Sequence, residues 1–327
     1  MNLANVPTKR DLMDSSIKKA LKVAAGMKKT RDKERQVKNK ESKKVAIMGK
    51  ELSAKLHAVS VLFPNLEEMH KFHLELLSSF VDLDSLKQAL AHLEKSSNLL
   101  KKLMVETIRK IFRHDDKEKI ISERKRFFAR ADSIVSNAEA SLSIVREAVI
   151  NARRLPKLKL ECLTVILAGF PNTGKTTILS RLTTSRPKIA PYPFTTQGVK
   201  FGYFSYKYHD IQVVDTPGLL DREMSKRNDV EKRAIAALRH LGEVIVFVVD
   251  PTEMCGYQLK EQMNLLKEVR KIFKQKVIVV FNKADIATEK EMENVRKETE
   301  GIISGEGIDS DLGEILGKEA VENFKGK

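Results

Sequence analysis

The chain has 327 residues and a formal net charge of +16, with 60 Lys and Arg against 44 Asp and Glu. This length suffices for two domains with hydrophobic cores of ordinary size. The two cysteines exclude a disulfide-stabilised scaffold and fit a reducing compartment, so we expect a cytoplasmic protein. No apolar run approaches the ~18 residues of a membrane span, and no apolar core follows the first ten residues. We therefore expect neither a transmembrane segment nor a signal peptide.

The positive charge is concentrated at the start of the chain. Residues 1–50 hold 15 Lys and Arg against 5 Asp and Glu. Such a run repels itself and releases counterions on a polyphosphate, so we predict a basic N-terminal arm over residues 1–44 that binds RNA. Two alternatives stay open: a solvated face that only keeps the protein soluble, and an anionic membrane. The membrane would be contacted by a short apolar face, which consists of Met13, Ile17, Leu21 and Ala24.

Residues 45–159 carry apolar residues at helical spacing. The three-to-four spacing is kept over 45–59, 83–104 and 127–149. Long amphipathic helices bury such stripes against one another. We therefore predict a helical bundle domain over 45–159, followed by a second domain over 160–327.

The second domain opens with a strand-to-helix signal. The apolar run at 164–168 predicts a buried strand, and GFPNTGKT at 169–176 matches the phosphate-loop pattern GxxxxGK[ST] in full. The glycines permit close approach of the backbone, so that successive N–H groups can surround the α- and β-phosphates at a helix N-terminus. The side chains of Lys175, Thr176 and Thr177 are expected to contact the β- and γ-phosphates, Mg²⁺ and the α-phosphate, respectively. The predicted loop residues are Gly169, Phe170, Pro171, Asn172, Thr173, Gly174, Lys175, Thr176 and Thr177.

A second motif, DTPG, follows another predicted strand. Asp215 would hold Mg²⁺ through water, and the backbone N–H of Gly218 would sense a γ-phosphate. Thr216 and Pro217 complete this part of the predicted site.

The third motif, NKAD, ends a strand at 276–281. The carboxylate of Asp285 can accept hydrogen bonds from N1–H and the 2-amino group of guanine, which adenine does not offer, so the motif favours GTP over ATP. Lys283 would pack on the base or the loop, and Asn282 would tie the loop to the phosphate side. Ala284 completes the motif.

Together these motifs resemble a Ras-like P-loop GTPase domain with a mostly parallel central sheet. The segment PYPFTT at 191–196 resembles the switch I of the Obg-like branch of such domains. Closer still is the resemblance to archaeal-type members of the nucleolar GTP-binding protein (NOG) family. It is carried by DTPGLLDR at 215–222, the Arg227-Asn228 pair, AIAALRHL at 234–241 and EMCGY at 253–257. FPNL at 63–66 and residues 70–93 are also similar to the helical N-terminal region of that family.

The resemblance implies further site residues. PYPFTT at 191–196 is similar to a switch I segment, in which Thr196 would close over Mg²⁺ beside Thr195. The last guanine-contacting motif of such domains usually reads Ser-Ala-Lys, and this sequence departs from it. Only Ser304 and the backbone of Gly305 can provide that contact here. Leu219 stands where a catalytic glutamine would orient water.

A route to hydrolysis is implied by related GTPases, in which a phosphate-loop asparagine helps to bind K⁺. Asn172 holds the matching position, and the alternative is that it only shapes the loop. The predicted catalytic groups are Asn172, Lys175, Thr196 and Gly218; the predicted metal ligands are Thr176, Thr196 and Asp215.

These features predict a GTP-hydrolysing switch that uses GTP or GDP with Mg²⁺, and also K⁺ if Asn172 binds it. The resemblance implies action on the large ribosomal subunit or its precursor, with rRNA and ribosomal or assembly proteins as partners. Two alternatives are kept: an RNA-binding scaffold that hydrolyses poorly, supported by Leu219, and a GTPase directed to tRNA or a membrane.

Overall fold

A computed structural model describes residues 4–27, 32–63, 66–183, 186–192, 195, 198–303 and 309–323. The chain divides into two compact units. The first comprises Met1–Glu68 and Val81–Arg153, and the second comprises Met69–Phe80 and Arg154–Lys327. No helix in the described ranges is long and apolar enough to cross a lipid bilayer.

The first unit is a bundle of long α-helices. These are α1 (Lys9–Ala25), α2 (Lys33–Ser60), α4 (Leu83–Arg113) and α5 (Lys117–Arg153). The apolar stripes read from the sequence supply its core: Val45, Leu52, Leu93, Phe127 and Val145 are all buried. Where α2 and α4 cross, Gly49 lets the helices approach closely, since a Cβ there would lie 2.9 Å from the side chain of Met104. The predicted helical N-terminal region is confirmed.

The basic segment predicted as an arm is organised as helix. Thr8 caps α1, whose Leu12, Ala20 and Ala24 are buried in the bundle. Lys9 Nζ lies 3.2 Å from the Asp132 carboxylate of α5. The boundary at residue 44 therefore falls inside α2, and helical packing, rather than an arm, orders the described part of this segment. Of the four residues of the proposed membrane face, Met13 and Ala24 are buried, Ile17 is partly buried and Leu21 is about half exposed.

The second unit contains one seven-stranded sheet, in the order β2-β3-β4-β1-β5-β6-β7. Strand β1 pairs in parallel with β4 and β5, and β6 and β7 continue the parallel part. Strands β2 and β3 form an antiparallel edge. The bounds are β1 Leu163–Ala168, β2 Lys188–Ala190, β3 Val199–Tyr206, β4 His209–Asp215, β5 Val244–Val249, β6 Lys276–Phe281 and β7 Ile302–Ile303. The mostly parallel sheet predicted from the sequence is confirmed.

Helices cover this sheet. They are α6 (Lys175–Leu182), α7 (Asp229–Ala237), α8 (Leu259–Ile272), α9 (Glu289–Glu298) and α10 (Asp309–Asn323), with 3-10 turns at Met224–Lys226 and Leu238–His240. Strands β1 and β5 are buried along their whole length, as expected for parallel strands covered on both faces. Leu179 of α6 and Leu316 of α10 pack in the same core cluster as Val165 and Val246.

Helix α3 (Lys71–Ser78) belongs to the second unit, although its sequence lies within the predicted bundle domain. Phe72 is fully buried, with its ring 6.3 Å from the ring of Tyr192. Glu75 lies 2.7 Å from Nε2 of His240. The physical reason for the difference from the predicted boundary is that the apolar side of α3 packs on α7 and Tyr192, which are distant in sequence.

Candidate nucleotide-binding site

The phosphate loop connects β1 to α6 through backbone angles that favour glycine. Gly169 and Gly174 have φ values of +133° and +98°, and Asn172 also has a positive φ of 61°. A Cβ on Gly174 would lie 1.9 Å from Asn282 Nδ2. That Asn282 amide donates to the carbonyl of Thr173 at 2.9 Å, so the third motif holds the first in place.

Lys175 is the buried cation of this loop. Its Nζ donates to the carbonyls of Gly169 and Phe170 at 2.8 and 2.7 Å. Burial lowers the pKa of Lys175, against the opposing influence of the Asp215 charge. The loop thus concentrates a positive charge beside a helix N-terminus, an arrangement that attracts phosphate.

The next residue, Thr176, meets the carboxylate at the end of β4. Thr176 Oγ1 donates to Asp215 Oδ2 at 2.6 Å. Asp215 is fully buried, and among the described residues its Oδ1 is buried without a hydrogen-bond partner. Burial raises the pKa of Asp215, although the Thr176 hydrogen bond and the Lys175 charge lower it. A hydroxyl and a carboxylate with an unsatisfied oxygen suit Mg²⁺, a cation that prefers oxygen ligands.

The rest of the DTPG segment, after Asp215, is held by hydrogen bonds to neighbouring parts of the protein. The hydroxyl of Thr216 is buried and donates to the Leu167 carbonyl, so it fixes the segment to β1. Gly218 has φ +80°, and its N–H donates to Asp221 Oδ2 at 2.7 Å. Its carbonyl accepts from Arg227 Nη1 at 3.1 Å. We call Gly218, Asp221 and Arg227 the Gly218 clamp.

The NKAD segment is held by a carboxylate outside the motif. Lys283 Nζ lies 2.6 Å from Oδ2 of Asp250, which is fully buried at the end of β5. Burial raises the pKa of Asp250, but the hydrogen bonds from Lys283 and Thr252 outweigh it and leave the pKa below its usual value. Asp285 is exposed, which leaves its carboxylate accessible to a ligand.

The three motifs line one cavity of about 790 Å³. The predicted residues that line it are Pro171, Asn172, Gly174, Lys175, Thr176, Thr177, Asp215, Pro217, Gly218, Asn282, Lys283 and Asp285. Two other predicted residues, Phe170 and Thr173, do not line the cavity but make contacts within the protein next to it. Phe170 stacks on Tyr257 at 4.1 Å, and the Thr173 hydroxyl donates to the Phe170 carbonyl. Gly169, Thr216 and Ala284 are not among the lining residues.

Of the site residues predicted for switch I and for the last guanine contact, the structure describes only Thr195. Thr195 bonds to the Tyr192 carbonyl through both its N–H and its hydroxyl, and it does not line the cavity. Thr196, Ser304 and Gly305 lie outside the described residues.

Sequence reasoning missed several residues of the site. Arg181, Lys200, Asp221 and Ile286 also line the cavity. Asp250 was missed too, although a charged residue that ends the apolar run of β5 is a readable signal. Asp221 lies within the DTPGLLDR segment, but its sequence position alone does not reveal the bond to Gly218.

Comparison with known proteins gives matches to one protein family over both parts of the chain. The model of the nucleolar GTP-binding protein 1 N-terminal helical domain matches residues 1–159, and that of nucleolar GTP-binding protein 1 matches residues 229–285. A Methanocaldococcus jannaschii protein without an assigned function is 37% identical over 249 residues, covering 76% of this chain and 70% of the relative. The chain belongs to the nucleolar GTP-binding protein 1 family. The NOG resemblance stated from the sequence is confirmed.

Two other matches belong to the same family by name. The nucleolar GTP-binding protein 1 of Encephalitozoon cuniculi is 31% identical, over 75% of this chain and 46% of the relative. A Plasmodium falciparum structure assigned to nucleolar GTP-binding protein 1 is 28% identical, with a TM-score of 0.42 over 52% of this chain and 91% of that one. The chain thus spans less than half the length of the E. cuniculi relative.

Proposed function

We propose that this chain binds GTP and GDP together with Mg²⁺ and hydrolyses GTP to GDP and phosphate. The observation that carries the proposal is that all three motifs line one cavity. Its lining includes the phosphate loop with the buried Lys175, and also Asp285, an exposed carboxylate that can accept hydrogen bonds from guanine. Membership of a family named for GTP binding supports the same assignment.

Within the proposed site, Thr176 and Asp215 would hold Mg²⁺. When bound, Mg²⁺ would offset negative charge on the β- and γ-phosphate oxygens. Lys175 would exchange its two backbone acceptors for phosphate oxygens. The backbone N–H groups of the loop would orient the phosphates at the start of α6. We also include Thr196 as a Mg²⁺ ligand, and Ser304 and Gly305 as a guanine contact, on the family resemblance.

Hydrolysis needs a group other than Leu219. The Leu219 side chain is buried, with 1% of the residue exposed, and it has no polar atom to orient water. Asn172 lines the cavity and has the positive φ of a specifically shaped loop. We propose that Asn172 helps to bind K⁺, which would offset charge between the phosphates. Equal turnover in Na⁺ and K⁺ buffers would contradict this part of the proposal.

The proposed setting is assembly of the large ribosomal subunit in the cytoplasm, with rRNA, ribosomal proteins or assembly proteins as partners. The family's name, nucleolar GTP-binding protein 1, supports a link to ribosome formation. The first unit adds a physical reason to expect RNA binding, namely a concentration of positive charge. One end of the bundle brings together residues 32–50 and 101–130, since Lys38 lies 2.7 Å from Asp115 and Arg124 lies 2.7 Å from Glu41.

This basic end, defined as residues 32–50 and 101–130, holds 18 Lys and Arg against 8 Asp and Glu. Lys101, Lys102 and Lys110 are exposed on α4. The nearby Phe112 is half exposed, so an aromatic ring accompanies the cations. Exposed cations with an aromatic side chain suit structured RNA, where phosphates neutralise the charge and bases stack.

We propose that the nucleotide state controls this docking through Gly218 and the switch I segment, so that hydrolysis weakens binding. The alternatives remain a scaffold with little hydrolysis, supported by the buried Leu219, and a GTPase directed to tRNA or a membrane. The burial of Met13 and Ala24 leaves only Leu21 and part of Ile17, out of the predicted apolar face, to contact a membrane.

Co-sedimentation with purified large and small ribosomal subunits tests the ribosomal part. The protein would be loaded with GDP or a non-hydrolysable GTP analogue at two salt concentrations. We expect binding to the large subunit, stronger with the analogue and weaker in salt. Binding to neither subunit in either state would overturn it, and binding to tRNA or anionic vesicles alone would favour the GTPase directed to tRNA or a membrane.

Point variants are better suited to this test than removal of residues 1–44, which would expose the bundle core. Replacing Lys101, Lys102 and Lys110 by Ala should reduce the slope of log affinity against log salt by about 1 for each phosphate that is no longer neutralised. The matched control replaces Lys260, Lys267 and Lys271, exposed on α8, and should keep the wild-type slope.

A further inference from the structure

The Gly218 clamp places a carboxylate on the backbone group that the proposed function assigns to the γ-phosphate. Asp221 Oδ2 accepts from the Gly218 N–H at 2.7 Å, and Asp221 also lines the nucleotide cavity. An N–H group donates one strong hydrogen bond. A γ-phosphate oxygen and the Asp221 carboxylate therefore compete for the same donor.

Arg227 holds Asp221 in that position. Arg227 Nη2 lies 3.4 Å from Asp221 Oδ1 and donates to the Arg222 carbonyl at 3.2 Å. Its Nη1 donates to the Gly218 carbonyl, so both polar groups of the Gly218 backbone are bound by the clamp. The Arg227 side chain is only 1% exposed and the Asp221 side chain 15% exposed. Burial strengthens such charged contacts relative to the same contacts in water.

The charge of Asp221 also acts on the phosphate and metal residues. It opposes ionisation of Asp215 and favours the protonated form of Lys175. Two anions that share one hydrogen-bond donor repel each other, and the site already contains the Asp215 carboxylate. A γ-phosphate adds negative charge at this place, whereas GDP brings no phosphate group to it.

We propose that Asp221 determines the preference of this site between GDP and GTP, by acting as an internal anion that competes with the γ-phosphate for the Gly218 N–H. The inference rests on the proposed function. In the GDP complex Asp221 keeps the Gly218 bond. In the GTP complex the γ-phosphate takes it, and Asp221 and Arg227 must rearrange, which links the nucleotide state to residues 218–228.

The test measures the affinities of the wild type and of Asp221→Asn for GDP and for a non-hydrolysable GTP analogue. Asn keeps the shape and a neutral acceptor but removes the charge. We expect the affinity for the analogue, relative to that for GDP, to rise about fivefold, the equivalent of roughly 1 kcal/mol, the difference between a charged and a neutral hydrogen bond. Asp229→Asn is the matched control, because it removes one charge from a nearby exposed position; its ratio should stay at the wild-type value.

Hydrogen exchange gives a second readout that does not depend on hydrolysis. In the GDP complex, the amide of Gly218 should exchange faster in Asp221→Asn than in the wild type. An unchanged or lowered analogue-to-GDP ratio in Asp221→Asn would overturn the inference while leaving GTP binding intact. Failure of the wild type to bind either guanine nucleotide would instead overturn the proposed function. A variant that merely unfolds would lose its affinity for GDP and for the GTP analogue together, and the analogue-to-GDP ratio would not rise. Thermal unfolding of the GDP complex is therefore recorded beside each titration.

Discussion

The phosphate loop and the DTPG segment line the same cavity, but different contacts hold them. The loop is fixed from outside: Asn282 binds the Thr173 carbonyl, and the Phe170 ring stacks on Tyr257. Gly218 is fixed from within its own segment, by Asp221 and Arg227. A loop fixed by distant elements keeps its shape, whereas a clamp formed within residues 218–227 can exchange partners locally. This difference gives a reason why the phosphate loop would bind phosphate in both the GDP and the GTP complex, whereas the contacts of Gly218 would change between the two complexes.

The largest expected effect falls on the phosphate loop. Lys175→Ala should reduce GDP affinity on the order of 100-fold, because a hydrogen bond from a charged donor contributes about 1.5–3 kcal/mol. Titration with a fluorescent GDP derivative measures this loss. Lys188→Ala, at an exposed position on β2, is the control and should bind as the wild type does. If Lys175→Ala binds GDP normally, the loop is not the phosphate site.

A pair of glycine substitutions compares the two segments directly. Gly174→Ala brings a Cβ to 1.9 Å from Asn282 Nδ2 at φ +98°, whereas Gly218→Ala at φ +80° meets no described atom within 4 Å. Gly218→Ala should cost about 1–2 kcal/mol of unfolding free energy from its backbone angle alone. Gly174→Ala should cost more and should also weaken GDP binding, since Asn282 must move. Equal losses in denaturant unfolding would show that the loop is not held more tightly.

A smaller effect is expected at Asp215. Burial raises its pKa, so the folded protein holds this proton more tightly than the unfolded chain. The resulting contribution to the free energy of unfolding falls as pH rises from about 4 through the raised pKa. Asp215→Asn should remove that decline and leave Mg²⁺-free stability at pH 7 equal to or above that of the wild type. Denaturant unfolding at several pH values, with a chelator present, measures both effects.

The same variant should lose its response to Mg²⁺. In the wild type we expect Mg²⁺ to raise apparent GDP affinity at least about tenfold, and in Asp215→Asn less than about twofold, by mass action. GDP titrations with Mg²⁺ or with a chelator measure both values. A full Mg²⁺ response in the variant would place the metal away from the Thr176 and Asp215 pair.

Much of the fold followed from periodicity and motif context. Strands β1, β4 and β6 were predicted from the apolar runs that precede the three motifs, because strands covered on both faces carry few polar residues. The apolar stripes of α2, α4 and α5 predicted a bundle, because amphipathic helices bury such stripes against one another. The placement of α3 could not be read, since an eight-residue helix with Phe72 and Leu76 buried can pack on many apolar surfaces.

Part of the candidate site also followed from the motifs. The predicted residues Lys175, Thr176 and Asp215 line one cavity, because the motifs fix their spacing after a strand. Thr216 was assigned to the nucleotide, but its hydroxyl binds the Leu167 carbonyl. Asp221 and Asp250 act through bonds to Gly218 and Lys283, and such bonds depend on how the backbone turns rather than on a motif.

The most direct test of the account is displacement of a fluorescent GDP derivative by GTP, GDP and ATP in the presence of Mg²⁺. We predict displacement by both guanine nucleotides at concentrations at least ~100-fold below any effect of ATP, because adenine leaves the Asp285 carboxylate unpaired. Asp285→Ala should reduce the ratio between the ATP concentration and the GDP or GTP concentration needed for displacement. Equal displacement by ATP, or no binding of GDP to the wild type, would contradict the assignment of this cavity as a guanine-nucleotide site.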